Sequence, residues 1–365
     1  MKIGVHIYFR PGFGGGERYL LTAAEALRSL GEVDFIAPTL SDLAAFERQF
    51  ALDLSGVRAV VRRRRRLHGL RDWLSPRPYD FFFALDNHLA PVQLSLGRRG
   101  VLHLQTPPYP DPVNHPWRSR VKLRTYDLVA CNSEYTRRWA VRYGTAGLPA
   151  RVLYPPVDVG LYRAAAKRPI ILSVGRFFTG RHEKKHGLLI DCFRDLVRGG
   201  MEGWELHLAG SFRDDIVADR AYLAELRRGA DGLPVVFHVN TELAELRRLY
   251  GEASLYWHGT GYAVDEEAHP QFLEHFGMSV VEAMAAGAIP VVVRRGGLVE
   301  IVADGETGFF WDEPAELVRR TRELAALGEP SLAPLRGRAV TAARRFSKER
   351  FAEEVRALAR DLTGC

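Results

Sequence analysis

The stretch EHFGMSVVEAMAAGAIPVVV, residues 274–293, places a helix directly before a strand. Its middle, MSVVEAMAAG, is dominated by Ala and Met, which lose little side-chain freedom in a helix, and Gly287 terminates it. IPVVV, a short apolar run rich in β-branched residues, then reads as a buried strand. Within the helix Glu282 lies among Val280, Val281, Ala283 and Met284, so the helix is expected to be buried. The positions one turn away are Met278, Ser279, Ala285 and Ala286. None supplies a Lys or Arg for an i, i+4 pair. Glu274, at the head of the stretch, has no evident local partner either. A carboxylate buried without a partner is costly, and such a position points to a ligand.

Outward from this unit the same alternation continues. KIGVHIY, VDFIAP, YDFFFAL, VLHLQ and LVACNS read as buried strands, with amphipathic stretches such as ERYLLTAAEALRSL between some of them. After the Pro-rich segment around Pro155 and Pro156 the pattern restarts with IILSVGR, WELHLAG, VVFHV, ASLYWHG and IPVVV. Strands alternating with helices predict parallel sheets covered by helices. At 365 residues the chain exceeds what one core usually serves. The expected division is a Rossmann-like domain over 1–155, a second over 156–345, and a terminal helix over 346–365 that packs back on the first. That last segment, SKERFAEEVRALARDL, opens on Ser347 as helix cap.

Composition excludes several classes. Hydrophobic residues make up 47% and charged residues 26%, the balance of a globular protein and not of a disordered one. The cysteines, Cys131, Cys192 and Cys365, are three in number and far apart, which favours a reducing cytoplasm over a disulfide framework. IGVHIYF is too short for a signal-peptide core, and no apolar run reaches membrane-spanning length. The net charge of +7 is unevenly spread: residues 1–155 hold 23 Lys and Arg against 13 Asp and Glu, and the remainder 28 against 31. The densest part is Arg62, Arg63, Arg64, Arg65 and Arg66, followed by His68, Arg71, Trp73 and Leu74. It reads either as a solvated loop or as a contact for an anionic membrane surface.

Three turns have the composition of phosphate sites. Gly14, Gly15 and Gly16 follow the first strand and open a helix, leaving backbone N–H groups free, although such glycines also serve purely steric roles. IILSVG ends at Gly175 and Arg176, and Lys184 and Lys185 arrive just before the helix HGLLIDCFRDLV. Cations at the carboxyl end of a parallel strand suit a diphosphate, or they pair with Glu183 and Asp191 on the surface. Phe276, Gly277, Met278 and Ser279 form the start of the Glu282 helix and offer a further set of amides.

The residues also carry a family resemblance. VGRFF with Lys184, EHFGMSVVEAMAAGAIPVVV with seven residues between its two glutamates, and GGLVEIVADGETGF occur in order over most of 170–311. Together they resemble the retaining GT-B glycosyltransferases of family 4. GGGER, TPPYP, NSEYTRRWAVRYG and VLYPPVD extend the likeness into the first half. The resemblance implies a GT-B fold, two Rossmann-like domains facing each other across a cleft. It also implies transfer of a hexosyl unit from a GDP- or UDP-sugar to a lipid-linked or glycan hydroxyl, in the cytoplasm or on the inner face of the membrane. In that reading Arg176 and Lys184 stabilise the leaving diphosphate and Glu274 holds hydroxyls of the donor sugar. The backbone from Phe276 to Ser279 approaches sugar and phosphates, with Gly175, Lys185, Gly15 and Gly16 lining the donor site, and Glu282 accepts from the ribose. No Asp-x-Asp triplet occurs, so the expectation is a reaction without metal or other cofactor. Nucleic acid is not an expected partner.

One departure stands in the first half. Where relatives commonly have His, one residue, Pro, this chain has Gln105, Thr106, Pro107, with His103 two residues earlier on the same strand face. His103 reads as a core histidine or as a group in the site. Lys185, Glu300 and His258 are secondary candidates. A nucleotide-sugar epimerase, a glycoside phosphorylase and a non-catalytic binding protein are the alternatives that such a scaffold leaves open.

Overall fold

The computed structural model describes residues 1–9, 11, 14–39, 43–62, 77–86, 94–109, 116–143, 145, 147–180 and 182–365. The chain divides into two units, Met1–Pro156 together with Lys348–Cys365, and Val157–Ser347.

The first unit is built on seven strands: β1 (Lys2–Ile7), β2 (Glu32–Ala37), β3 (Val57–Val61), β4 (Tyr79–Leu85), β5 (Gly97–Leu104), β6 (Leu128–Cys131) and β7 (Ala150–Val152). All neighbours pair in parallel in the order β3-β2-β1-β4-β5-β6-β7. Its helices include α1 (Gly15–Leu27), α2 (Leu43–Phe50), α3 (Pro116–Leu123) and α4 (Glu134–Tyr143). Period-two geometry explains the phenylalanine run in β4. Phe81 and Phe83 join one apolar cluster with Ile3, Val5, Tyr19 and Leu20, whereas Phe82 joins Leu102, Leu104, Leu123 and Tyr126 on the opposite face. A sheet buried on both faces needs strands without polar alternation, which is what this sequence has. The terminal helix of the chain sets Phe351, Val355, Leu358 and Ala359 into the first of these clusters, with Phe351 edge-on to Tyr19 at 4.8 Å.

The second unit carries β8 (Arg168–Val174), β9 (Glu205–Gly210), β10 (Val235–Val239), β11 (Ala253–His258), β12 (Ile289–Val293) and β13 (Phe309–Trp311), parallel throughout in the order β10-β9-β8-β11-β12-β13. Its helices are α5 (His186–Arg198), α6 (Val217–Gly229), α7 (Leu243–Glu252), α8 (Met278–Ala285), α9 (Pro314–Ala325) and α10 (Glu329–Ala343), and the chain closes with α11 (Lys348–Thr363) in the first unit. Buried cations tie down helix ends here. Lys167 donates to Gly251 O and Ala286 O, each at 2.7 Å, and Arg336 donates to Ser254 O at 2.8 Å and Gly287 O at 3.0 Å. Gly251, Ala286 and Gly287 lie at the ends of α7 and α8, where helices leave carbonyls open, and Ser254 lies at the start of β11.

In both sheets the strand order runs outward in one direction and then reverses, between β1 and β4 in the first and between β8 and β11 in the second. The crevice at the carboxyl ends of such a central pair is where open parallel sheets bind ligands.

Candidate active site

β8 ends at Val174 and is followed by Gly175 and Arg176. A Cβ on Gly175 would lie 2.4 Å from Cγ of Lys184, so glycine is what lets the lysine stem cross the strand end. Lys185 takes the left-handed conformation, φ 58°, as the residue capping α5. The turn sends Lys184 back over β8, where Nζ donates to Oε2 of Glu274 at 2.6 Å. His258, the last residue of β11 and almost wholly buried, places Nε2 2.9 Å from that same oxygen. Oε1 accepts no hydrogen bond from any described residue. Burial alone would raise the Glu274 carboxyl, but the Lys184 charge and the His258 bond hold it well below its ordinary value. Burial pushes the His258 imidazole down, against the pull of Glu274. The ring is therefore neutral at pH 7, and because a carboxylate only accepts, the hydrogen is assigned to Nε2.

The backbone of Glu274 is pinned as well. Its carbonyl accepts from Gly297 N at 2.8 Å, and a Cβ on Gly296 would sit 2.3 Å from that carbonyl oxygen. His182 bonds Leu273 O through Nδ1 at 3.1 Å and meets His275 edge-on at 4.3 Å. Gly277, φ 113°, opens α8, and the amides of Met278 and Ser279 in its first turn donate to no described backbone carbonyl. The buried Tyr256 hydroxyl lies 3.4 Å from Val174 O and bonds the Ser279 side chain, joining the end of β8 to the start of α8. The Phe276 side chain is packed against Phe346 at 5.2 Å, so only its backbone faces the site.

Arg176 is exposed, lies over the Phe178 ring at 4.6 Å, and forms no ion pair among the described residues. Lys185 pairs with Glu183 at 3.6 Å, so of the two lysines only Lys184 reaches the cluster. Glu300, a secondary candidate, is the last residue of the short 3-10 turn Gly296–Glu300. Asn240 is occupied with the backbone of Phe212, accepting from its N at 2.7 Å and donating to its O at 3.2 Å.

Glu282 requires a correction. It is buried, as expected, but it does have partners. Tyr162 donates to Oε1 at 2.8 Å and Tyr250 to Oε2 at 2.9 Å. The i, i+4 test looks only along one helix, whereas these tyrosines arrive from 120 and 32 positions away. Likewise, Lys184 lies 90 positions from Glu274.

In the first unit Gly14 precedes α1, with Gly15 and Gly16 in its first turn. The Glu17 carboxylate folds back so that Oε2 lies 2.8 Å from where a Cβ on Gly14 would be. An acid already faces that helix start and disfavours a second anion there. Gln105 is the residue beside Gly16, its Oε1 2.8 Å from a Cβ built there. His103 is wholly buried, stacked on Tyr19 at 3.8 Å, with Nδ1 3.1 Å from Ala130 O, and burial pushes its pKa down to about 3. It is a core histidine. Sequence reasoning missed the group at the reversal of this sheet: Asp86, after β4, bonds Lys122 at 2.5 Å, with Lys122 wholly buried 5.9 Å from the Tyr8 ring and Tyr8 bonded to Tyr126 at 3.1 Å. Of the arginine run, Arg62 donates its amide to Ala37 O, and Arg63, Arg64, Arg65 and Arg66 lie outside the described residues.

Two parallel sheets, with a lysine, a carboxylate and free helix amides gathered where the second one reverses, define the GT-B class of α/β fold. The chain belongs to the glycosyl transferases group 1, whose profile matches residues 162–345, and the profile of Glycosyltransferase Family 4 matches residues 13–161. It is similar to the GDP-Man:Man(3)GlcNAc(2)-PP-Dol alpha-1,2-mannosyltransferase of Neurospora crassa, 31% identical over 62% of this chain and 44% of that one. It is also similar to the GDP-mannose:cellobiosyl-diphosphopolyprenol alpha-mannosyltransferase of Komagataeibacter xylinus, 27% identical over 67% of this chain and 58% of that one. The chain spans about half the length of the curated relatives it matches. Among solved structures, Anabaena HepE in complex with UDP superposes with a TM-score of 0.74 at 19% identity, covering 99% of this chain and all of that one. Among the described residues no helix is long and apolar enough to cross a membrane.

Proposed function

We propose that this chain transfers a mannosyl unit from GDP-mannose, with retention of configuration, to a hydroxyl of a lipid-linked glycan. The observation that carries the reading is Glu274, ionised at the β8–β11 reversal, with both protein donors on Oε2 and Oε1 open. Oε1 accepts from hydroxyls of the donor sugar. Lys184, Arg176 and the Met278 and Ser279 amides receive the charge that builds on the diphosphate as the anomeric carbon–oxygen bond breaks. The acceptor oxygen bonds that carbon on the same face and gives its proton to the departing phosphate. Glu282, set by its two tyrosines, takes ribose hydroxyls on its remaining lone pairs. These cations and amides do the work of a bridging metal, so the reaction runs without one.

The two mannosyltransferase relatives support GDP-mannose and a polyprenyl-type acceptor. Thermal unfolding with GDP-mannose, UDP-glucose and ADP-glucose tests the donor: GDP-mannose should raise the melting temperature most. No shift with any of them would sink the reading. Activity should survive EDTA, and recovery that needs added Mn²⁺ would refute the metal-free assignment. The run Arg62–Arg66 suits the anionic surface in which a lipid-linked acceptor sits, each arginine adding on the order of 1 kcal/mol. Flotation with anionic liposomes should weaken when these five are replaced by alanine, and unchanged flotation would remove the membrane from the reading.

A further inference from the structure

Among the histidines buried on strands, His103 of the first sheet and His258 of the second are the most deeply buried, and they use their nitrogens differently. His103 in β5 binds a backbone carbonyl through Nδ1, and its Nε2 has no partner among the described residues. His258 at the end of β11 aims Nε2 at a carboxylate oxygen that already holds an ammonium. A histidine kept only for packing has no need of that oxygen, and the bond has a geometric result: two donors on Oε2 fix the rotation of the carboxylate about its last side-chain bond.

We propose that His258 is a positioning residue for Glu274: with Lys184 it holds Oε2 so that Oε1 faces the donor sugar, and it keeps that hold when Lys184 turns to the diphosphate. This deepens the proposed function and rests on it for the identity of the sugar. The logic is one of numbers of donors. A lysine ammonium is a mobile point charge on a flexible stem, and a diphosphate bearing more negative charge than a carboxylate competes for it. Once it moves, His258 is the remaining side-chain donor to Glu274 among the described residues. An imidazole locked at the end of a strand stays where it is. The charged and titratable groups around the pair are Lys184, Arg176, His182, His186 and Tyr256, whose ring stacks on His258 at 6.4 Å. His186 is buried and has no partner for Nε2 among the described residues, so it does not replace His258 at the carboxylate.

The test uses the full chain, GDP-mannose as probe, and the variants His258→Phe and His258→Gln, the latter carrying an N–H at the equivalent reach. His258→Phe should lower turnover by about tenfold to a hundredfold, since small misplacements of a reacting group cost that much. KM should change less than turnover, the acid limb of the pH profile should move to higher pH, and His258→Gln should restore most of the loss. Wild-type turnover with an unmoved acid limb in His258→Phe overturns the proposal. Nitrogen-15 spectra of labelled histidines give a reading without substrate, and should show His258 neutral with hydrogen on Nε2 at pH 7. Hydrogen on Nδ1, or a charged ring, overturns the proposal even if His258→Phe fails to fold. Absence of any nucleotide-sugar binding in the wild type overturns the proposed function, while the spectra still decide for or against the His258–Glu274 bond.

Discussion

Both sheets reverse at a central strand pair, and each places a lysine–carboxylate pair near the carboxyl ends there, but the two pairs are built for different tasks. In the first unit Lys122 has no exposed surface and Asp86 almost none, and the Tyr8 and Tyr126 hydroxyls meet beside them. In the second unit Lys184 and Glu274 each keep 16% of their side-chain surface exposed, with one carboxylate oxygen left open. Residue type does not separate them. Burial does: sealing both charges fixes the pair as part of the core, and leaving an edge open makes the same chemistry available to a ligand. The difference also bears on energetics, because a sealed charge that loses its partner has no water to turn to, whereas a half-open one does.

The largest effect expected from this contrast is on stability in the first unit. Asp86→Ala removes the carboxylate bonded to the buried Lys122 ammonium and should cost roughly 3–5 kcal/mol, read as a lower midpoint in calorimetry or denaturant unfolding. Turnover per folded molecule should hardly change. Glu274→Ala should do the reverse, reducing turnover by on the order of 10²–10³ with a smaller drop in the unfolding midpoint than Asp86→Ala gives, as when one group that stabilises developing charge is removed. If Asp86→Ala abolished transfer in a fully folded protein, or Glu274→Ala unfolded the chain, the division of labour between the two pairs would be broken.

Acid titration sharpens the same comparison. Glu274 is held below its ordinary value, so its ionic contribution to stability is present above the unfolded carboxylate range, about pH 4.3. It is lost as pH falls through the lowered folded value. Unfolding midpoints measured from neutral pH down to strongly acid pH should therefore fall in the wild type, and the slope should be shallower in Glu274→Gln. Equal slopes would mean that the Lys184–Glu274 pair carries no net stability.

How much of this was readable beforehand follows from where the information lies. Strands buried on both faces announce themselves as apolar runs, as YDFFFAL and IPVVV do, and Lys184 and Glu274 stand out because their motifs are local. The strands not foreseen, β3, β7 and β13, are all edge strands of three to five residues. VRAVV buries only its first residue fully and ARV none, so neither carries the apolar run that marks a central strand. The contacts of the site were illegible for another reason. Lys184, His258 and Glu274 meet because the chain reverses at β8 and β11, and no spacing rule along one helix reports a bond across 90 positions. His103 and His258 look alike as single histidines on apolar strands. Only their neighbours in the folded chain, a carbonyl for one and a carboxylate for the other, tell them apart.

The smallest predicted effect concerns Glu282, a third buried carboxylate, served by hydroxyls and not by a lysine. Tyr250→Phe removes the donor on Oε2 and leaves that on Oε1, so a buried oxygen is left with less than its full set of bonds. The expected cost is about 1–3 kcal/mol, shared between folding and binding. Because Glu282 is assigned to the ribose, the binding share should appear as a higher Kd for both GDP and GDP-mannose, equal for the two because the sugar is not involved. Turnover at saturation should stay near that of the wild type. Isothermal titration with both nucleotides checks this. A loss confined to GDP-mannose would move Glu282 from the ribose to the sugar, and unchanged Kd values with a lowered unfolding midpoint would place Glu282 with Asp86 among the carboxylates that hold the core.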